Sequence, residues 1–183
     1  MARFWDWSPR TEADTATAIA EREATIESVE LYTSAAMVYG WLEADGRRLS
    51  DILNTNSVLA IRDPRSTGLV ADLDGEQGSG WTRLSVDDIL LAMPPPHDSA
   101  RQLKIHRRKH RVRIRTGPFE VVGTAHVLPG TALDPYVLRS RMHFLALTDA
   151  HLYGSNPPIE RSAPVVLVNV RPVKELLEVL PIS

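Results

Sequence analysis

Eight Lys/Arg and two His crowd the fifteen residues from Arg101 to Arg115 (RQLKIHRRKHRVRIR), with no acid among them. Such a run can neutralise several phosphates at once, giving salt-sensitive nucleic-acid binding. The contact candidates for nucleic acid or an acidic partner are Arg107, Arg108, Lys109, Arg111, Arg113 and Arg115. Two plainer alternatives compete. The run is a solvated linker edge, or Arg113 pairs with Glu30, its counterpart in an earlier copy of the same unit. No aromatic residue interrupts the run, so base stacking on single strands has no platform there. A second candidate surface is the N-terminal tip MARFWDWS, with Phe4, Trp5 and Trp7. Aromatic anchors dominate interface energetics but also fill ordinary cores. The tip is expected either to dock on a protein partner or to fold back on its own domain.

Other polar residues make weaker cases. His126, His143 and His151 fall near Asp149, but on different elements and without the tight spacing of metal ligands. His106 and His110 sit among cations that repel a metal ion. Asp72-Leu73-Asp74-Gly75 lacks the third carboxylate and terminal Glu of a calcium loop and reads as a turn. No phosphate loop, nucleophile elbow or dinucleotide glycine pattern occurs. The chain has no cysteine, which excludes disulfides, thiolate metal sites and Cys nucleophiles. The expectation is no metal, no cofactor and no catalytic residue, leaning away from an enzyme.

At 183 residues, 43% apolar and 24% charged, the composition is that of an ordinary globular protein. No apolar run approaches the roughly 20 residues of a membrane span, and no secretory signal is evident. A cytoplasmic protein is the expectation. The net charge of −2 conceals an asymmetry. Residues 1–98 hold 17 acids and 8 bases, a balance of −9, while residues 99–183 hold 6 and 13, a balance of +7. Either the two parts attract each other, or the basic one faces an acidic partner.

The elements that position these residues come in two copies. Val29, Thr33, Val38 and Gly40 answer Val112, Thr116, Val121 and Gly123 at an offset of 83. Gly46 and Leu49 meet Gly130 and Leu133 at 84, and Leu59, Ala60 and Asp63 meet Leu145, Ala146 and Asp149 at 86. An offset that only grows is the mark of an internal duplication with small loop insertions. Alternation at Val29 and Leu31, and at Val112 and Ile114, predicts half-buried strands. Gly40 and Gly123 predict a bulge or bend inside the second strand of each copy. Arg48–Leu53 predicts a short helix, Leu133–Leu138 its less regular counterpart, and Asp63 and Asp149 a cap after a short strand. A closing helix is expected at Val86–Met93 and again at Pro172–Leu180. The expected fold is α+β, mainly β: duplicated small β-barrel or β-roll units, each with a short helix and a C-terminal helix, arranged as a pseudo-dimer. Its parts are an N-terminal arm (1–25), a first repeat (26–96), a basic linker (97–108) and a second repeat (109–183).

The pattern of a strand ending in Thr, an apolar strand with Gly, "RLSD-LN" and an apolar strand closing on Asp resembles a bacterial domain family of unknown function. The first copy carries Arg48-Leu49-Ser50-Asp51 and Leu53-Asn54; the second keeps Phe144-Leu145-Ala146-Leu147-Thr148-Asp149-Ala150 but departs at Asp134-Pro135-Tyr136. The resemblance covers about forty residues per copy and implies a small, mostly β domain without activity. At fold level the chain is also broadly similar to Sm-like small barrels, which bind RNA. Arg107 and Arg111 look like the Arg-x-x-x-Arg entry of PilZ-type receptors, whose second element is absent. The expected function is a non-catalytic binding or scaffold protein acting through protein–protein contacts, with self-association at exposed strand edges. The alternative is a nucleic-acid-binding protein using 101–115.

Overall fold

A computed structural model describes residues 26–68, 80–95, 108–127, 129, 133–134, 142–155 and 158–179. The N-terminal arm with its aromatic tip, the turn at 72–75, the linker through Arg107 and most of 133–138 lie outside the described residues.

The chain is mainly β. Strands β1 (Ile26–Tyr32), β2 (Ala36–Glu43), β3 (Val58–Gly68), β4 (Trp81–Ser85) and β5 (Leu91–Met93) form the first half. Strands β6 (Arg108–Thr116), β7 (Phe119–Val127), β8 (Phe144–Ser155), β9 (Pro158–Asn169) and β10 (Glu175–Glu178) form the second. All ten belong to one antiparallel sheet, in the order β10-β6-β7-β8-β9-β5-β1-β2-β3-β4. Instead of separate closed barrels facing each other, one open sheet runs through both halves. Each half repeats the same internal order, and the halves join where β9 meets β5.

The register repeats as well. Val29 pairs with Gly40 in the first half and Val112 with Gly123 in the second. Pairing slips by one residue between Tyr39 and Trp41 on β2, and between Val122 and Thr124 on β7. At those slips Gly40 and Gly123 let the neighbouring strand approach closely. A Cβ on Gly123 would lie 2.9 Å from the Leu147 Cβ, and one on Gly40 would lie 2.9 Å from the Arg62 carbonyl oxygen. Opposite them Asp63 and Asp149 both adopt φ of 48°. They do not cap short strands, as expected; they are kinks inside the long strands β3 and β8. Aspartate tolerates the left-handed conformation, so the strand bends and resumes pairing without ending.

Helix α1 (Leu49–Thr55) confirms the short helix of the first half, burying Leu49, Ile52 and Leu53 at helical spacing. The closing helices are corrected. Val86–Asp88 is a single 3₁₀ turn followed by β5, and Glu175–Glu178 is the edge strand β10. Ile89 to Met93 are all buried, a continuous apolar run that suits a strand covered on both faces. Backbone pairing with β6 overrides the helical preference of the Lys174–Glu178 stretch.

That covering comes from two cores. Leu91, Met93, Val166 and Val168 enter a core with Val112, Ile114, Phe119 and Leu147. Ala92, Val165 and Leu167 enter the other, with Val29, Leu31, Leu49 and Ile61. Because successive strand residues point to opposite faces, β5 and β9 serve both cores at once.

Candidate functional site

The described part of the basic run lies on β6. Its alternation turns Val112 and Ile114 inward and leaves Arg113 and Arg115 exposed. The strand pairing then sets what meets those arginines. Arg115 stands opposite Glu120 on β7 and opposite Glu175 on β10. Its Nε lies 2.8 Å from Glu120, and its Nη1 lies 3.5 Å from Glu175. The hydrogen bond that Arg115 donates to Glu120 pushes its pKa up, so the group stays charged. Arg113 reaches the other Glu120 oxygen at 3.4 Å. Arg111 donates to the Asp149 carbonyl at 2.9 Å, satisfying the backbone at the β8 kink. His110 lies 2.7 Å from Glu178. Arg108 and Lys109 are exposed at the start of the strand, and Arg107 precedes the described residues. The described outward face of β6, an interior strand, is therefore a lattice of mixed charge.

Arg113 does not meet Glu30. The partner of Glu30 is Arg161 on β9, at 2.7 Å, and a second bridge joins Arg171 to Asp87 at 2.6 Å. Both join a base of the second half to an acid of the first. The opposite charges of the two halves thus meet at their junction. Glu30 also accepts a hydrogen bond from the Tyr32 hydroxyl. Burial, then the Glu30 hydrogen bond, pushes the Tyr32 pKa up, so this hydroxyl stays protonated and cannot act as a base near neutrality. Tyr39, Pro94 and Pro95 complete a cleft of about 260 Å³ over the pair. Nothing in it supplies an activated nucleophile.

A second cleft, of about 220 Å³, lies between α1 and β8. Its floor is held by Asn54, whose side chain accepts from the His143 and Phe144 amides at 2.8 and 2.9 Å and donates to the Phe144 carbonyl at 3.3 Å. Asn54 reads in the sequence as a helix end; its actual task is to tie the first half's helix to the second half's strand. Asn169 does the same at the junction, donating to the Ile89 carbonyl at 2.9 Å and accepting from the Arg171 amide at 3.0 Å. Neither role has a local sequence signal, because each partner lies 80 or more residues away or across a turn. Of the histidines, His126 meets Thr148, His151 meets Ser162 and His143 meets Arg171. They do not converge, and no group of three metal-ligating side chains occurs among the described residues. Phe4, Trp5 and Trp7 lie outside the described residues.

Fold and site together define a mainly β chain on one open antiparallel sheet, with no metal cluster among its described residues. The chain matches no protein-family model, no curated protein and no solved structure. Among the described residues no helix is long and apolar enough to cross a membrane.

Proposed function

We propose that the protein is a non-catalytic binding or scaffold protein of the cytoplasm that acts through protein–protein contacts. One observation carries this: among the described residues, β4 and β10 each pair on one side only. An unpaired strand offers its N–H and C=O groups to another chain, and affinity then comes from main-chain hydrogen bonds with side chains setting specificity. The ion pairs on β6 favour this over nucleic acid, because Glu120, Glu175 and Glu178 already neutralise much of the described basic run. We further read residues 26–96 and 109–183 as copies of one ancestral unit, joined by the linker 97–108 and preceded by the arm 1–25. What supports that is the shared strand order and the shared slip at Gly40 and Gly123.

The test is recovery of partners from native lysate with the intact chain, an Arg83→Pro variant and a chain lacking residues 1–8, each with and without nuclease. Arg83 is exposed on β4, so proline there blocks the edge with little effect on packing. Nuclease-resistant partners lost with Arg83→Pro are the expected result. Partners lost only with the tip would move the contact to Phe4, Trp5 and Trp7. Nuclease-sensitive recovery untouched by either change would assign binding to the basic segment.

A further inference from the structure

The two open edges are not arbitrary strands. β4 occupies in the first half the position of β9 in the second, and β10 occupies the position of β5. Inside the chain β9 and β5 are hydrogen-bonded to each other, Leu91 opposite Val168 and Ala92 opposite Leu167. The molecule thus already contains one contact between a β4-type and a β5-type edge, and among the described residues it ends on an unpaired example of each. We propose that a second copy of this chain fills the edge: β10 of one chain pairs antiparallel with β4 of the next, head to tail. This rests on the scaffold function above and names its partner.

The register follows from the internal junction. β9 residues map onto β4, and β5 residues onto β10, at the same offset of 84, which puts Leu84 opposite Glu175 and Arg83 opposite Leu176. The backbone is oriented for this. The Val86 amide donates to Ser57, which fixes alternate residues of β4 toward β3 and leaves Arg83 and Ser85 facing outward. The Val179 amide donates to Arg111, which likewise turns Leu176 and Glu178 outward on β10.

Two side-chain observations agree. Met93 at the internal junction is 6% exposed, while its counterpart Leu177 on β10 is 46% exposed, an apolar residue lacking the cover its twin has. The Arg171–Asp87 bridge joins equivalent positions of the two halves, since 171 − 84 is 87. A head-to-tail contact brings the same two positions together again, with opposite charges. The external junction is also the weaker one, because Ser85 replaces Asn169 and cannot span the same distance. Association is accordingly reversible and concentration-dependent. Such a heterologous contact closes into a ring when the rotation per copy divides a full turn, and otherwise extends as a filament.

Sedimentation and native mass spectrometry of the full chain are expected to show multiples of 20.4 kDa that grow with concentration. Arg83→Pro blocks the β4 edge, and Leu177→Lys places a charge on the β10 edge at an exposed site. Each variant alone is expected to be monomeric with unchanged circular dichroism, yet an equimolar mixture should form a dimer through its remaining free edges. Only a head-to-tail contact gives that complementation. A chain that stays monomeric at all soluble concentrations would overturn the proposal, as would multimers in which each variant alone still assembles. Multimers appearing only after removal of residues 1–25 would give the edge to the arm, again overturning it. A monomeric chain that nonetheless loses a captured partner with Arg83→Pro would leave the scaffold function standing and remove only self-assembly.

Discussion

The internal junction and the two outer edges use equivalent strands in different surroundings. At the junction, Asn169 is buried and bonds both the Ile89 carbonyl and the Arg171 amide. At the outer edge the same position is Ser85, exposed. Tyr32 is buried beside Glu30 and Arg161 at the junction, whereas its counterpart at the far edge is Arg115, exposed between Glu120 and Glu175. The backbone plan is constant, and side chains differ where a neighbouring strand is covalently guaranteed. Where both halves face the same demand, at Gly40 and Gly123, they keep the same residue.

Substitution can break that contrast. Asn169→Ala should have the largest effect, about 3 kcal/mol by chemical denaturation, because it strands the buried Ile89 carbonyl at about 1–3 kcal/mol and also unpairs the part-buried Arg171 amide. Ser85→Ala should stay within about 0.5 kcal/mol. Equal losses would erase the distinction between junction and edge. Gly123→Ala should cost about 2 kcal/mol, since the new methyl presses on the Leu147 and Ala150 side chains. Gly40→Ala should cost a similar amount, which would sharpen the claim that both halves share one backbone requirement.

Alkaline pH tests the junction without a large perturbation. The folded pKa of Tyr32 lies above that of the unfolded chain, so its contribution is complete below about pH 10 and is lost as pH rises beyond it. Melting temperature should fall above about pH 10 in the parent, and Tyr32→Phe should flatten that decline. The smallest effect on stability is expected from Glu120→Gln, which loosens Arg113 and Arg115 at an exposed site. Affinity for a labelled oligonucleotide at low salt should rise, and should fall again as salt is added. No change would indicate that the ion pairs were not what withheld these arginines from phosphate.

The mainly β character was legible in the sequence, because alternating apolar residues and the recurring Gly and Asp positions mark strands. The offsets of 83 and 86 read from Val29, Gly40 and Asp63 are the same offsets that relate the strand registers. The α1 helix was visible from Leu49, Ile52 and Leu53 spaced along one face. The closing helices were misread because Ile89–Met93 is apolar at every position, and such a run has no period to separate helix from strand. Asp63 looked like a strand terminus because a turn residue followed by Pro64 ordinarily ends pairing; only the partner strand reveals a bulge. The candidate site fared less well. The Arg face of β6 was predicted, but its neutralisation depends on Glu175 and Glu178, which are distant in the chain and were assigned to a helix. The clamps made by Asn54 and Asn169 depend on contacts of the same long range.

Two strands that serve both cores also impose an order of events during synthesis. Leu91 and Met93 belong to the first half by sequence, but they pack with Val166 and Val168, about 75 residues further along. At about 5–20 residues per second, the ribosome takes several seconds to deliver that partner. Until then the nascent first half carries an apolar strand with one face uncovered, beside a core that still lacks Phe144, Val165 and Leu167. Final closure is thus a long-range event late in translation, and it is the step at which one nascent chain is most exposed to pairing with another.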